Sequence, residues 1–199
     1  MLKHITVSAS LLVLGTGLAL AQGAATPNAT SNAPAPVTGE PATKANGDMK
    51  EWQVAKVAKV GLAQALTTAE SQGDEKGGRA IDADFEKAGS KDPAHYAIKV
   101  VYPSGKLVEY GINADTGALY KTENQPIERY FTRLKASDFQ NAKTSLKDAL
   151  AIAEQKAGGG KAYEAEVEKD GSAVQYEIKV AGADKEQEVK VGPDGKVLN

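Results

Sequence analysis

Apolar residues at Leu146, Ala149, Leu150, Ala153 and Ala157 recur at i, i+3, i+4, i+7 and i+11, which sets them on one face of a helix. Ser145 precedes the run with Asp148 three residues on, a capping-box-like start. Gly158-Gly159-Gly160 predicts the end, because glycine tolerates the left-handed turn that closes a helix. The period then falls to two. Tyr163, Ala165 and Val167 alternate with Glu164, Glu166 and Glu168; Tyr176, Ile178 and Val180 alternate with Glu177 and Lys179; Val189 and Val191 alternate with Glu188 and Lys190. Asp170-Gly171 and Pro193-Asp194-Gly195 supply turns. Strands with one apolar and one charged face predict an antiparallel sheet covered on one side, with the helix as its cover.

The same pattern occurs earlier in the chain. Leu62, Ala65, Leu66, Ala69 and Glu70 precede Leu146, Ala149, Leu150, Ala153 and Glu154 by 84 positions. Ile81, Ala83 and Phe85 correspond to Tyr163, Ala165 and Val167 at a shift of 82, and Tyr96, Ile98 and Val100 to Tyr176, Ile178 and Val180 at 80. Val108, Tyr110 and Ile112 correspond to Gln187, Val189 and Val191 at 79. The shift changes only across turns, where length variation is tolerated. The expected fold class is therefore α+β: a tandem repeat of a helix packed on a small antiparallel sheet of three to four strands, with connecting helices. One such helix is expected from the loose spacing of Met49, Trp52, Val57 and Val60, and another over 125–143 from Ile127, Tyr130, Phe131 and Leu134. Trp52, Tyr130 and Phe131 are expected to pack between the copies, because a unit of about 60 residues is marginal alone.

At the start of the chain, Lys3 and an apolar run ending Ala19-Leu20-Ala21 have the form of a secretory signal peptide over 1–21, cut before Gln22. Residues 22–47, rich in Ala, Pro, Thr, Asn and Gly, have too little apolar surface to offset ordering and read as a disordered tether. The expected organisation is then 48–124 for the first domain with its leading helix, 125–143 for the connecting helix and 144–199 for the second domain.

With 24 Lys and Arg against 26 Asp and Glu, the net charge of −2 argues against a nucleic-acid partner. The absence of cysteine excludes disulfides, thiolate chemistry and a lipid anchor on cysteine. Beyond residue 21 the single histidine is His95, next to Ala94 and Pro93; it has no partners for a zinc site or for nucleophilic catalysis and reads as an exposed turn residue. No catalytic residue, metal site or cofactor is predicted. The distinctive surface is acidic: Asp82, Asp84 and Glu86 in one copy and Glu164, Glu166 and Glu168 in the other form rows of like charge at i, i+2, i+4. These six residues are the candidate partner-binding surface, partly balanced by Lys99, Lys179 and Lys190 across the strands.

The run Ser145-Leu146, Ala149-Leu150, Ala153, glycine, Tyr176-Glu177-Ile178-Lys179-Val180 and Asp194-Gly195-Lys196-Val197-Leu198 resembles the PepSY domain. The first copy resembles it more loosely, with Gly61 in place of the serine cap and Asp115-Thr116-Gly117-Ala118-Leu119 as its ending. The resemblance implies an exported or membrane-facing module, found in propeptides of thermolysin-like metallopeptidases, that restrains peptidases and carries no catalytic residues of its own. The first functional reading is thus a periplasmic or secreted, non-catalytic protein-interaction module with an exported peptidase as partner and no stable membrane insertion after signal cleavage. The alternative is an accessory binder of a small ligand or cation in the same compartment. Oligomeric state is not specified at this level. If the export reading holds, N-terminal sequencing of protein recovered without detergent from the periplasmic or extracellular fraction should begin near Gln22; intact Met1 on membrane-bound protein would refute it.

Overall fold

The computed structural model describes residues 48–130 and 132–198. The signal-peptide and tether expectations therefore lie outside the described residues. The element order is α1 (Glu51–Val57), α2 (Leu62–Glu70), β1 (Arg79–Glu86), β2 (His95–Val101), β3 (Leu107–Asn113), β4 (Leu119–Asn124), two short 3-10 helices (Glu128–Tyr130 and Ala136–Asn141), α3 (Leu146–Lys156), β5 (Lys161–Asp170), β6 (Ala173–Ala181), β7 (Glu186–Val191) and β8 (Val197–Leu198).

The class is α+β, but the expected pair of small sheets is one continuous sheet. Its eight strands run in the order β4-β3-β2-β1-β5-β6-β7-β8, and every neighbouring pair is antiparallel. β1 and β5, the first strand of each copy, pair with each other. In an isolated copy that strand would be an edge with unpaired N–H and C=O groups; the seam satisfies both.

α2 and α3 cover one face. They bury Leu62, Ala65, Leu66 and Ala69 in one half and Leu146, Ala149, Leu150 and Ala153 in the other, as their spacing predicts. Ser145 caps α3 by accepting the Asp148 N–H at 3.1 Å, while Gly158 and Gly159 leave it with φ of 77° and 86°. Two further contacts recur in both halves. The last-turn carboxylates Glu70 and Glu154 accept the backbone N–H of Ala80 and Ala162, each at 2.9 Å. Tyr96 donates its hydroxyl to the Val60 carbonyl at 2.9 Å and Tyr176 to the Thr144 carbonyl at 2.5 Å, tying each second strand to the chain entering each helix.

Three expectations are corrected. Ile81 and Tyr163 do not continue the apolar face of their strands. A register shift falls at each of them, between Ala80 and Asp82 and between Ala162 and Glu164. Such bulges re-aim a side chain, and the Tyr163 hydroxyl reaches Glu186 at 2.5 Å on the charged side of the sheet. Secondly, α1 buries Val54 and Ala55, whereas Val57 is 71% exposed, because α1 lies on that charged side rather than beside α2. Glu51 accordingly stands among Glu164, Lys87, Glu86 and Lys179, and Lys87 donates to the Met49 carbonyl at 2.8 Å.

Thirdly, 125–143 is not one helix. The link must run from β4, at one edge of the sheet, to α3 in the other half. A helix rises only about 1.5 Å per residue against about 3.3 Å for extended chain, and Pro126 removes a helical donor. The described link therefore alternates 3-10 turns with extended chain. Leu134 is buried, but Ile127 is 76% exposed, so the anticipated stripe does not form. Arg129 holds the path by donating to the carbonyls of Gly105 and Thr132.

Leu150→Ala, at a fully buried site on α3, should cost about 2–5 kcal/mol in denaturant unfolding. Lys147→Ala, on the exposed side, should change stability by less than about 0.5 kcal/mol. Equal losses would place the buried face of α3 incorrectly.

Candidate functional site

The seam brings the two acidic rows together. Asp82 lies opposite Glu166 and Asp84 opposite Glu164, with Ala83 opposite Ala165 between them on the helix side. Like charges directly opposite in a sheet repel, and the surrounding residues offset this unevenly. Lys99 bridges Asp82 at 2.7 Å and Glu128 at 2.9 Å; Lys179 pairs with Glu164 at 2.6 Å. Lys190 serves Glu177, at 2.5 Å, rather than either row. Gln175 donates to Glu168 at 2.8 Å. Glu86, at the end of its row, faces the His95 Nε2 at 3.3 Å.

Glu166 and Asp84 are the exceptions: among the described residues no hydrogen bond or ion pair holds either of them. Asp84 is in addition half-buried. Burial, then Asp82 and Glu164, push its carboxyl from 3.8 up to about 7, against the weaker pull of Lys99. The Glu166 carboxyl is also raised, by burial and by Asp82, and that of Glu51 by burial and by Glu164. Beside the seam, an open cleft of about 570 Å³ is lined by Ile81, Asp82, Lys99, Glu128, Leu134 and Glu166 among others. Chemically the seam is a partly desolvated anionic surface, able to hold a proton near neutral pH or to receive cationic side chains.

Residues 59–123 and 143–193, more than half of the chain, match the family model described as peptidase propeptide and YPEB domain, PepSY. The chain belongs to the PepSY family. A crystal structure of a "putative lipoprotein" from Clostridium difficile 630 is similar at 22% identity, over 61% of this chain and 80% of that chain, with a TM-score of 0.37. None of the curated proteins matches.

The two PepSY segments take in α2 to β4 and α3 to β7, so the seam is the line where one PepSY segment pairs with the other. α1 precedes the first segment, and Glu128 lies between the two. Neither Glu51 nor Glu128 was identifiable from the acidic rows. Both sit in connecting chain, and only the fold carries them to the seam.

His95 is corrected from an exposed turn residue to a buried one, 5% exposed. It opens β2 on the same face as Glu86, with Nδ1 at 2.9 Å from the Pro93 carbonyl and the Tyr120 ring packed edge-on at 4.9 Å. Trp52 is half-buried against the core, while Phe131 and the Tyr130 side chain lie outside the described residues. Among the described residues no group of three or more His, Asp or Glu is placed to hold a metal ion. No described helix is long and apolar enough to cross a membrane.

The Asp84 shift has a definite sign. In the unfolded chain the group titrates near 3.8 and in the folded chain near 7, so between those values the folded state binds the extra proton. Stability from this group is greatest below pH 4 and falls as pH rises through 7. Asp84→Asn should therefore stabilise the protein at pH 8 by about 1–2 kcal/mol, allowing for solvent screening at a half-buried site. It should be near neutral at pH 4. Urea unfolding at the two pH values checks this, and an equal effect at both would reject the desolvated carboxyl.

Proposed function

We propose that the protein is an exported, non-catalytic interaction module that docks a basic surface of a secreted peptidase on its acidic seam and holds that peptidase back. The observation that carries this reading is the β1–β5 register, which merges two modest rows into one surface containing Asp82, Asp84, Glu86, Glu164, Glu166 and Glu168. Family membership supports it through the description of the matched model as a peptidase propeptide domain. The charge balance is compatible with docking. Asp82 and Glu164 are engaged by lysines, whereas Glu166 has no cationic partner among the described residues and is open to solvent. Cationic side chains from a partner would relieve the repulsion around Asp84 and Glu166, so docking and seam stability reinforce each other. On this reading 1–21 directs export, 22–47 is the tether, and the domains 48–124 and 144–199 act as one surface.

The test is inhibition of a thermolysin-like metallopeptidase secreted by the same cell, followed by hydrolysis of a peptide substrate. Added protein should slow hydrolysis saturably. Glu166→Lys combined with Glu168→Lys should raise the half-inhibitory concentration at least tenfold at low salt, and the difference should narrow once screening shortens to about 10 Å at 0.1 M. Unchanged hydrolysis at saturating protein would reject peptidase restraint. Inhibition indifferent to both the double variant and salt would move the contact away from the seam.

A further inference from the structure

The sheet ends unequally. β8 has two residues, whereas β4 has six, Leu119-Tyr120-Lys121-Thr122-Glu123-Asn124, all of them exposed. β4 is therefore the long free edge of the eight-stranded sheet, lying three strands from the seam. Which of its backbone groups are free follows from its pairing with β3. Gln125 donates its N–H to the Leu107 carbonyl at 3.0 Å. Opposite residues in an antiparallel ladder alternate between hydrogen-bonded and non-hydrogen-bonded pairs, so Glu123 with Glu109 and Lys121 with Gly111 are the next bonded pairs inward. Lys121 and Glu123 thus spend their backbone groups on β3, and Thr122 and Asn124 turn theirs outward.

We propose that β4 pairs with β4 of a second copy of this chain, antiparallel about a two-fold axis through Thr122. The outward-facing residues limit the choice of register, and charge selects among the options. Centring the axis on Lys121 or on Glu123 sets like charges opposite each other. Centring it on Thr122 makes Thr122 with Thr122 a bonded pair and sets Lys121 of each copy opposite Glu123 of the other. These charged pairs occupy non-hydrogen-bonded positions, where opposite side chains are closest. The same register aligns Tyr120 with Asn124 and brings exposed Leu119 of one copy to the end of the strand that bears exposed Ile127 of the other. A mid-strand lysine ordinarily protects an edge from indiscriminate pairing. Here Glu123, two residues on, converts that protection into selection for one antiparallel partner, and the product is a sixteen-stranded sheet. The ladder is short, so the dimer should be weak and its population should depend on concentration.

Sedimentation velocity across a concentration series tests the pairing. The wild-type protein should pass reversibly from monomer to dimer. Glu123→Lys alone and Lys121→Glu alone should each weaken the dimer at least tenfold, because each sets like charges opposite each other twice. Mixing the two variants should restore dimerisation, since every lysine then faces a glutamate; this rescue separates pairing from any folding defect. The chain has no cysteine, so Thr122→Cys provides a second readout: a residue on the axis should cross-link to its own copy under mild oxidation, whereas Ser104→Cys, in the β2–β3 turn, should not. A wild-type protein that stays monomeric to about 1 mM, or two folded variants that fail to rescue each other, would overturn the proposal.

Discussion

The structure depends on a constraint of phase. β1 and β5 must each turn their apolar residues toward the helix that covers them, and they must also pair with each other to leave no raw edge in mid-sheet. Because side chains alternate with a period of two, satisfying both conditions sends both acidic rows to the same side. Placing Asp82 against Glu166 and Asp84 against Glu164 is therefore imposed by the core. The burial of Ala83 and Ala165 at the centre of the sheet is obtained at the expense of repulsion on the reverse face. Lys99, Lys179 and the approach of α1 are arranged around that repulsion without removing it. A slip of one residue would separate the carboxylates and turn the apolar residues of one half out of the core.

Much of this was legible in the chain. Helices α2 and α3, the alternation in the strands and the correspondence of Glu70 with Glu154 all follow from local spacing, and local spacing is what short helices and hairpins obey. The common function of those two glutamates, holding the N–H of Ala80 and Ala162 where the strands bulge, was not legible. A bulge leaves the alternation of residue types almost intact, so the spacing places Ile81 and Tyr163 on the helix-covered face, whereas both are buried after a register shift that re-aims them. The link over 125–143 failed for another reason: its apolar spacing suits a helix, but the span it must bridge does not. The candidate surface was half legible. The six acids could be named, but whether the two rows met or lay apart depended on the order of strands across the sheet. No local pattern encodes that order.

The faces of the sheet are also unequal. α2 and α3 seal one with aliphatic packing, whereas the other is closed only in part, by α1 and by the first turn of the link, whose Glu128 meets Lys99. Tyr163, Glu186, His95 and Tyr120 show how that second face is organised: the Tyr163 hydroxyl bonds Glu186, His95 faces Glu86 and packs edge-on against Tyr120, and among the described residues no fully buried side-chain polar atom lacks a partner. Such a face is held together by hydrogen bonds and charge more than by apolar area, and it is the more responsive of the two to pH and salt.

The strand order has a bearing on how the chain comes to be folded. Every neighbouring pair in the sheet except one joins strands consecutive in sequence, and the exception is the seam, whose partners lie about 80 residues apart. Closing a loop of that length costs roughly 2–3 kcal/mol more entropy than closing a hairpin turn. The two meanders with their helices can therefore collapse early as local units, while the seam waits for both. During that interval β1 and β5 are open edges carrying like charges. That charge disfavours each from pairing with its counterpart in another nascent chain, so the repulsion that weakens the finished seam protects the half-made one.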